Sequence, residues 1–421
     1  MKTNENIFLT GKAGTGKTTT IKRYLQWARE NNKVVALTAS TGVAALHIGG
    51  TTIHSFLGSR IAGSIEEYKK TKFNKAKLKQ VFTDINDIDV LIVDEVSMLN
   101  ASFIDMMDFI LKIATQSDLP FGGIKVIFVG DFLQLPPVGK TKTEQKPAFM
   151  SKAWKKGKIK VYNLTKVHRQ DDNDFIKILS RIRHGDYSEE IERYFDDVQL
   201  KPFELPKNYD SYVKLYARNI NVDNYNNERL ERINGPSKTY YAQVSGKDPK
   251  IEKELIKRVL TSKELKLKVG AQVMILNNDE DKNYVNGSIG IVIKLGNDFA
   301  RIRLNNGTEH NIRSFTWKAY DAFGEEQAKF EQIPLKLAYA ITIHKSQGMT
   351  IEKAVIDCDG IFEKAQFYVA ISRVKSKKGL LLDGFDASKH IIIDRKALEF
   401  YNQFENIDPE IFYELDAKAK R

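Results

Sequence analysis

The chain carries Gly11-Lys12-Ala13-Gly14-Thr15-Gly16-Lys17-Thr18 near its N-terminus, and this run sets its architecture. It fits the pattern G-x-x-x-x-G-K-[ST], a loop whose glycines let backbone N–H groups approach phosphate oxygens. An apolar run at 7–9 precedes it and a helix-like segment at 19–25 follows it, so the loop joins a strand to a helix N-terminus. The motif predicts a nucleoside triphosphate site, in which Lys17 reaches the β- and γ-phosphates and the Thr18 hydroxyl holds Mg²⁺.

Composition narrows the class of protein. The chain has 421 residues, 42% of them hydrophobic and 29% charged, as in globular proteins with two or more domains. No stretch approaches the roughly 18 consecutive apolar residues of a membrane span, and the first residues form no signal peptide, so we expect a cytoplasmic protein. The single cysteine, Cys358, excludes disulfides within the chain and cysteine-cluster metal sites. The net charge of +12 suits a polyanionic partner such as nucleic acid.

The apolar pattern predicts two α/β sections. Continuous apolar runs at 34–37, 90–93 and 125–129 suit the central strands of a parallel sheet that helices cover on both faces. A lysine-rich insert at 59–82 interrupts this first section. Short strands with Asn-Gly turns at 266–333 predict a small β-barrel or meander inside the second section.

Two further strand ends carry candidate catalytic residues. Asp94 and Glu95 follow the apolar strand at 90–93. In enzymes with this phosphate loop, such acids hold Mg²⁺ and orient or deprotonate the attacking water, so we assign Asp94 to the metal and Glu95 to the water. The turn after 125–129 presents Gln134, whose amide suits a γ-phosphate or its attacking water. An ordinary loop stopped by proline is the alternative for this turn.

Further ordered stretches extend this pattern along nearly the whole chain. They are 11–18 (motif I), 37–45 (motif Ia), 49–56 (the segment after it), 94–98 (motif II), 130–137 (motif III), Arg169 (motif IV), 174–185 (a family signature), 340–350 (motif V) and 368–373 (motif VI). Together they resemble the motifs of superfamily 1B helicases, the 5′-to-3′ branch of superfamily 1. The resemblance is strongest to the PIF-type (petite integration frequency) DNA helicases, relatives of RecD and Dda.

The resemblance implies an α/β protein with two RecA-like P-loop NTPase domains, each a parallel sheet flanked by helices, with ATP between them. It implies RecA-like domain 1A at 1–58 and 83–163, subdomain 1B, a strand-separating wedge, at 59–82, RecA-like domain 2A at 164–265 and 334–393, an SH3-like β-barrel domain 2B at 266–333, and a helical tail at 394–421.

The resemblance also assigns two arginines that pattern alone does not single out among so many basic residues. Arg169 and Arg373 become arginine fingers from the second domain, which stabilise charge on the transferred phosphoryl group. Without the resemblance, each is more simply the partner of a surface carboxylate. The expected nucleotide-binding residues are Gly11, Ala13, Gly14, Thr15, Gly16, Lys17, Thr18, Thr19, Gln347 and Gly348.

Single-stranded DNA is the partner that the resemblance implies. Small hydroxyls and backbone N–H groups suit phosphates, and rings stack on bases. The candidate DNA-binding residues are Thr38, Ser40, Thr41, His54, Phe56, Pro136, Val138, His344, Lys345 and Ser346. Without the resemblance, His54 and His344 are ordinary structural histidines.

The expected function is that of an ATP-dependent DNA helicase. It would move 5′ to 3′ on single-stranded DNA and unwind duplex or structured DNA such as forks, R-loops and G-quadruplexes. The alternative is a DNA-stimulated ATPase that remodels protein–DNA complexes without unwinding. A nucleotide-dependent switch protein is a third reading, and it predicts slow turnover that DNA does not accelerate.

The sequence also bears on partners and nucleotide choice. We expect a monomer in solution, or a dimer induced by DNA, that acts at single-strand/duplex junctions and associates with the nucleoid. Relatives usually carry an upstream glutamine that reads adenine, but the ten residues before Gly11 contain none. The sequence therefore leaves open whether ATP is preferred over other nucleoside triphosphates.

Overall fold

A parallel sheet of six strands forms the core of the first part of the chain. The computed structural model describes residues 1–404 except 60–61, 71–74, 138, 140, 142–143, 171, 202–204, 206–208, 219–221, 247, 278, 280–282, 285, 305 and 321–325. The helices and strands of this part are β1 (Ile7–Gly11), α1 (Lys17–Glu30), β2 (Val35–Ala39), α2 (Gly42–Ile48), β3 (Thr51–Thr52), α3 (Ile53–Phe56), α4 (Ile65–Lys70), α5 (Lys75–Asn86), β4 (Val90–Asp94), α6 (Ala101–Thr115), β5 (Lys125–Gly130), α7 (Lys152–Lys156) and β6 (Lys160–Leu164). The strand order is β3-β2-β4-β5-β1-β6, and every pairing is parallel.

Burial explains the central strands of this sheet. β1 reads Ile-Phe-Leu-Thr-Gly and β4 reads Val-Leu-Ile-Val-Asp, and every residue in both strands is buried. Such runs form the middle of a sheet that is covered on both faces, as the sequence predicts. Because β5 lies between β4 and β1, the carboxyl ends at Gly11, Asp94 and Gly130 lie side by side at one edge.

The rest of the chain contains a second set of helices and strands. In chain order they are α8 (Asn173–Arg183), α9 (Glu189–Phe195), β7 (Val213–Tyr216), α10 (Val222–Glu231), β8 (Ser237–Tyr241), β9 (Gln243–Gly246), α11 (Pro249–Arg258), β10 (Glu264–Lys268), β11 (Gln272–Ile275), β12 (Ile289–Leu295), β13 (Phe299–Leu304), β14 (Glu309–Arg313), β15 (Phe315–Tyr320), β16 (Glu326–Gln332), β17 (Leu335–Leu337), β18 (Ala340–Thr342), β19 (Ala354–Asp357), α12 (Gln366–Ile371), β20 (Leu380–Asp383), α13 (Ala387–His390) and α14 (Arg395–Asn402).

A second parallel sheet has the order β18-β7-β19-β20. Its strands confirm the second α/β section that the apolar runs predict. Helix α8 packs into the same core through Phe175, Ile178, Leu179 and Ile182, which recur at helical spacing and are all buried. The Asp172 carboxylate accepts hydrogen bonds from the amides that begin this helix.

Antiparallel sheets separate the strands of this second parallel sheet along the chain. They have the orders β14-β13-β12-β11-β17, β10-β8 and β15-β16-β9. A turn at the predicted Asn306-Gly307 pair joins β13 to β14, and Gly307 has a φ of 87°, which glycine adopts without strain. Since β9 pairs with β16, Gln243–Gly246 share a sheet with residues of the predicted insert at 266–333. The domain bounds themselves stay predictions.

Two segments pack onto the first parallel sheet from outside it. In the insert predicted at 59–82, Tyr68 and Val81 are buried against the first core, and α5 continues beyond 82 to Asn86. In the predicted tail at 394–421, α14 returns from the second part of the chain, and Phe400 stacks on Phe149 at 4.4 Å between ring centroids. Residues 405–421 lie outside the described residues. Among the helices that the structure describes, none combines the length and the apolar character that crossing a membrane would need.

Candidate active site between the two parallel sheets

The predicted phosphate loop joins β1 to α1. Gly14 and Gly16 have φ values of 78° and 85°, in the left-handed region that glycine adopts without strain. A Cβ atom at Gly14 would lie 2.5 Å from the Cβ of Arg169, so glycine also permits the close approach of the second domain. Lys17 begins α1, and its Nζ donates hydrogen bonds to the carbonyl oxygens of Gly11 at 2.7 Å and Lys12 at 3.1 Å. The ammonium group therefore lies over the loop that it is predicted to serve.

The other candidates in this loop differ in exposure. Ala13 and Thr15 are buried, and the Thr15 hydroxyl donates to the Lys12 carbonyl at 2.9 Å, which stabilises the turn. Thr18 is half-buried in the first turn of α1, whereas Thr19 is exposed. This difference favours Thr18 over Thr19 as the hydroxyl that meets a metal ion.

The predicted acid pair lies at the end of β4. Glu95 turns the chain away from the strand with a φ of 52°, and its amide donates to Asp94 Oδ1 at 2.9 Å. Burial and then the charge of Glu95 raise the pKa of Asp94 to about 7. Burial also raises the pKa of Glu95, although the positive charges of Lys17 and Arg373 oppose this. The two carboxylates therefore share a poorly hydrated site in which a cation would stabilise them.

Asp131 lies at the third strand end of this edge and contacts side chains from both domains. It follows β5 and binds Arg183 of α8 through both carboxylate oxygens, with Nη2–Oδ1 at 2.7 Å and Nε–Oδ2 at 3.2 Å. The Gln134 side chain also donates to Asp131 Oδ2 at 3.2 Å. Burial acts to raise the pKa of Asp131, but the charge and hydrogen bonds of Arg183 outweigh it and hold the pKa below its usual value. Gln134 therefore lies at the predicted edge, oriented by a carboxylate that the second domain also holds.

Gln347 spans the two domains. It lies in the loop after β18, and its Nε2 donates to Oε2 of Glu95 at 3.0 Å. Gly348, the next residue, is exposed and has a φ of 81°. Gln347 thus contacts the predicted water-activating acid, in addition to any contact that it makes with a nucleotide.

The two predicted arginine fingers lie close to each other. Arg169 donates from Nη1 to the Ser372 carbonyl at 3.2 Å. Arg373 is 2% exposed and donates to the Val369 carbonyl at 3.0 Å and the Ser372 hydroxyl at 2.8 Å. Burial and then the positive charge of Arg169 lower the pKa of Arg373 to about 9, and Glu95 opposes this. Two cationic side chains in a buried site favour an anion beside them.

The residues of this edge fit a magnesium ion bound together with phosphate. Among the residues that the structure describes, His, Cys, Asp and Glu side chains form no cluster of three that could hold a metal ion alone. Mg²⁺ usually takes one or two carboxylates and completes its shell with water and substrate phosphates. The Asp94 carboxylate and the Thr18 hydroxyl would supply such a partial shell.

The DNA-binding candidates of the first domain are mostly enclosed. The Thr38 hydroxyl donates to the Ile92 carbonyl at 2.7 Å, and Phe56 is 7% exposed in the core. The Ser40 hydroxyl is buried without a hydrogen-bond partner, and the Thr41 hydroxyl accepts from the amide of Ala44 at 3.2 Å. His54 is half-buried with its ring 4.4 Å from that of Phe103, and burial lowers its pKa. These placements do not favour base contacts by Thr38 or Phe56 in this conformation.

The remaining DNA-binding candidates lie in two loops. Pro136 is half-buried, and Val138 lies outside the described residues. In the loop after β18, His344 and Lys345 are half-buried, whereas the Ser346 hydroxyl is buried and donates to the Ile343 carbonyl at 2.7 Å. Burial also lowers the pKa of His344.

The structure adds residues that the sequence analysis did not assign. Gln170 donates from Nε2 to the carbonyls of Ser372 at 3.0 Å and Val374 at 3.1 Å, on either side of Arg373. The Tyr368 hydroxyl accepts from the amide of Ala13 at 3.3 Å. Gln170 adjoins motif IV and Tyr368 begins motif VI, so their motifs offered a signal. Arg183, likewise, lies in the signature stretch at 174–185. Tyr401 lies outside every motif, and no sequence signal marks it.

Comparisons with known proteins identify relatives of this chain. The family model described as PIF1-like helicase matches residues 1–193, and the model described as the 2B domain of DNA helicase Pif1 matches residues 253–295. The chain is 36% identical over 411 residues to the ATP-dependent DNA helicase Pif1 of Bdellovibrio bacteriovorus, covering 97% of this chain and 90% of that protein.

Solved structures of Pif1 helicases also resemble this chain. Pif1 from Bacteroides sp in complex with ADP-AlF4 is 31% identical, with a TM-score of 0.83 and coverage of 96% of this chain and 94% of that chain. Bacteroides Pif1 in complex with ADP-AlF3 and single-stranded DNA is 31% identical, with a TM-score of 0.65 and coverage of 97% and 95%. The two parallel sheets are accordingly RecA-like domains with a Pif1 2B domain inserted in the second, and the chain belongs to the PIF1-like helicase family.

Proposed function

We propose that this PIF1-like helicase, an ATP-dependent DNA helicase, couples ATP hydrolysis between its two RecA-like domains to 5′-to-3′ movement along single-stranded DNA. One observation carries the proposal. Gln347 and Arg373 of the second domain approach Glu95, which follows the central strand β4 of the first domain. Hydrolysis in such a site depends on how the two domains sit against each other, and that dependence is what a motor needs.

Hydrolysis begins with a water beside Glu95. Its carboxylate accepts a proton as the water oxygen attacks the γ-phosphorus and the bond to the β–γ bridging oxygen breaks. Burial raises the pKa of Glu95, which makes this carboxylate a stronger base. The hydrogen bond from Gln347 fixes one carboxylate oxygen and leaves the other for the water.

Positive groups stabilise the charge that develops on the phosphoryl oxygens. Lys17 comes from the first domain, and Arg169 and Arg373 come from the second. Thr18 and Asp94 would hold Mg²⁺, which neutralises phosphate charge when it is bound. An arginine finger contributes about 10³–10⁵ in rate in related phosphoryl-transfer sites, so hydrolysis should be fast only while the second domain is closed on the first.

Several features support DNA as the track. The net charge of +12 favours a polyanion. Lys345 lies in the loop after β18, near Lys336. Burial lowers the pKa of Lys336 to about 8, and the like charge of Lys345 is the second cause of this shift. Two lysines near each other suit a phosphate between them. Bacteroides Pif1 has been crystallised bound to single-stranded DNA, and another solved structure is described as the basis for DNA unwinding at forked duplex DNA by two coordinating Pif1 helicases.

ATP hydrolysis with and without a single-stranded oligonucleotide tests the motor. We expect strong stimulation by DNA in the native chain and its loss in Arg373→Ala, with DNA affinity nearly unchanged. Arg29→Ala is a suitable control, because Arg29 is an exposed arginine in the last turn of α1. Slow turnover that DNA does not accelerate would instead support a nucleotide-dependent switch.

Strand displacement tests direction and outcome. A duplex with a 5′ single-stranded tail should be unwound in the presence of ATP, and a duplex with a 3′ tail should not. Unwinding from the 3′ tail alone would overturn the direction. Rapid DNA-stimulated hydrolysis without displacement of either duplex would leave a translocase that remodels protein–DNA complexes.

A further inference from the structure

The last described helix of the chain docks at the edge that carries the catalytic motifs. Helix α14 lies beyond the second parallel sheet in the sequence, yet Ala397, Phe400 and Tyr401 are buried in the core of the first domain. Asp394 begins this helix, and its carboxylate accepts hydrogen bonds from two amides of the first turn. The helix is thus a capped element that packs into the core of the first domain.

The Tyr401 hydroxyl is placed between two motifs of the active site. It lies 2.6 Å from the hydroxyl of Thr10, accepts from the amide of Phe132 at 3.1 Å and donates to Asp131 Oδ1 at 3.3 Å. A phenol offers one donor and two acceptor positions, and this arrangement uses all three if Thr10 donates. Burial raises the pKa of Tyr401, and the charge of Asp131 adds to this, so the phenol keeps the proton that it donates.

The partners of this hydroxyl belong to two parts of the nucleotide site, the strand before the phosphate loop and motif III. Thr10 immediately precedes Gly11, the first residue of the phosphate loop, and pairs with Gly130 across β1 and β5. Asp131 orients Gln134 and holds Arg183 of the second domain. The guanidinium carbon of Arg183 in turn lies 5.0 Å from the centre of the Tyr401 ring. Tyr401 therefore contacts the phosphate-loop strand, motif III and the second domain at once.

We infer that Tyr401 is a positioning residue for ATP hydrolysis, which holds Asp131 at a fixed distance from the phosphate loop. Asp131 in that position keeps Gln134 directed to the nucleotide and keeps Arg183 docked across the domain interface. The inference rests on the proposed function, because it concerns how fast ATP is hydrolysed when DNA is bound.

The substitution Tyr401→Phe tests this role because it removes one oxygen and keeps the ring. Loss of a hydrogen bond to a charged group that acts in the transition state lowers the rate by about tenfold. We expect kcat for DNA-stimulated hydrolysis to fall by about this factor, with the KM for ATP and the affinity for single-stranded DNA each within about twofold of the native chain. Thr10→Val removes the same contact from the other side and should give the same pattern.

A matched control separates positioning from general stability. Tyr240 is also buried, and its hydroxyl donates to carbonyl oxygens of Gly296 and Phe299 in the region of the 2B insert. Tyr240→Phe should lower the melting temperature about as much as Tyr401→Phe while leaving kcat unchanged. An equal fall of kcat in both variants would reduce Tyr401 to a structural residue.

A double substitution tests the path through Asp131. If Tyr401 acts by holding Asp131, adding Tyr401→Phe to Asp131→Asn should produce little further loss of kcat. Independent effects that multiply would overturn the inference, as would native kcat in Tyr401→Phe. Absence of DNA-stimulated hydrolysis in the native chain would be a different failure, that of the proposed function.

Discussion

Gln347 of the second RecA-like domain donates a 3.0 Å hydrogen bond to Glu95 of the first. The two residues are 252 positions apart in the sequence and belong to different domains. The contact therefore exists only when the domains are closed on each other. It joins the residue predicted to activate water to a loop that also carries the DNA-binding candidates His344 and Lys345. A change in the position of that loop would therefore directly alter the hydrogen bonding of the Glu95 carboxylate.

Removal of the Gln347 amide should uncouple the two domains. In Gln347→Ala, Glu95 loses an orienting donor, and we expect kcat for DNA-stimulated hydrolysis to fall about tenfold at saturating ATP. Gln26→Ala is a matched control, because Gln26 makes the same kind of bond to Glu30, at 3.1 Å, on the exposed face of α1. Steady-state hydrolysis at saturating DNA measures the effect. An unchanged kcat in Gln347→Ala would remove this contact from the mechanism.

The charge of Glu95 should matter for hydrolysis but not for binding. Glu95→Gln keeps the size of the side chain and removes the base, so we expect hydrolysis to fall by about 10²–10⁴. A fluorescent ATP analogue should still bind with native affinity, and the variant should remain locked on DNA when ATP is present. Loss of nucleotide binding in Glu95→Gln would move this residue from catalysis to the structure of the site.

The sequence alone was sufficient to predict those parts of the site whose residues lie close together in the chain. The phosphate loop and the acids at 94–95 each follow a buried strand directly, so the apolar run predicts both the strand and the position of the polar residues after it. The roles of Gln347 in motif V and Arg373 in motif VI could be predicted only from the family resemblance. Both are common residue types, and only the packing of the second domain brings them to Glu95.

Tertiary contacts account for what the sequence did not show. Asp131 and Arg183 are 52 positions apart, and Tyr401 lies outside every motif, so their convergence depends on how the domains pack. Residue type also leaves two roles open where one side chain suits both. Thr38 and Phe56 have groups that suit DNA, yet a threonine hydroxyl can equally bond a neighbouring strand and a phenylalanine ring can equally fill a core.

The pair formed by Asp131 and Arg183 should be costly to break from one side. Both side chains are nearly inaccessible, at 0% and 6% exposure, so Arg183→Ala leaves a buried carboxylate without its partner. We expect a loss of about 3–5 kcal/mol in the free energy of unfolding, measured by urea denaturation. Arg181→Ala is the control: Arg181 is two residues away and pairs with Asp186 and Glu190 nearer the surface, so the expected loss is much smaller. Equal losses would show that the pair does not stabilise the domain interface.

Lys345 should contribute to DNA affinity through charge. If it neutralises one phosphate, Lys345→Ala should reduce the slope of log affinity against log salt by about 0.7, from roughly −4 for about six phosphates. Anisotropy of a labelled oligonucleotide across a salt series measures both slopes. Lys22→Ala, an exposed lysine of α1, should leave the slope unchanged. Equal slopes in Lys345→Ala and the native chain would place Lys345 outside the DNA path.

Asp94 should make the nucleotide-free protein less stable as the pH rises. Its pKa in the folded chain is about 7, against 3.8 for an unperturbed aspartate, so between these values the folded state binds a proton that the unfolded state does not. Stability from this group is therefore present at low pH and is lost as the pH rises through about 7.

Substitution of Asp94 by asparagine removes this dependence. Asp94→Asn should be more stable than the native chain by up to about 4 kcal/mol at pH 8 and nearly equal to it at pH 4. Asp118→Asn, at an exposed position, is the control substitution. Urea unfolding at both pH values gives the comparison. Mg²⁺ with a non-hydrolysable ATP analogue should reverse the order at pH 8, because the native carboxylate then gains the cation that its site favours. A gap that stays constant with pH would mean that Asp94 is already ionised and compensated in the folded chain.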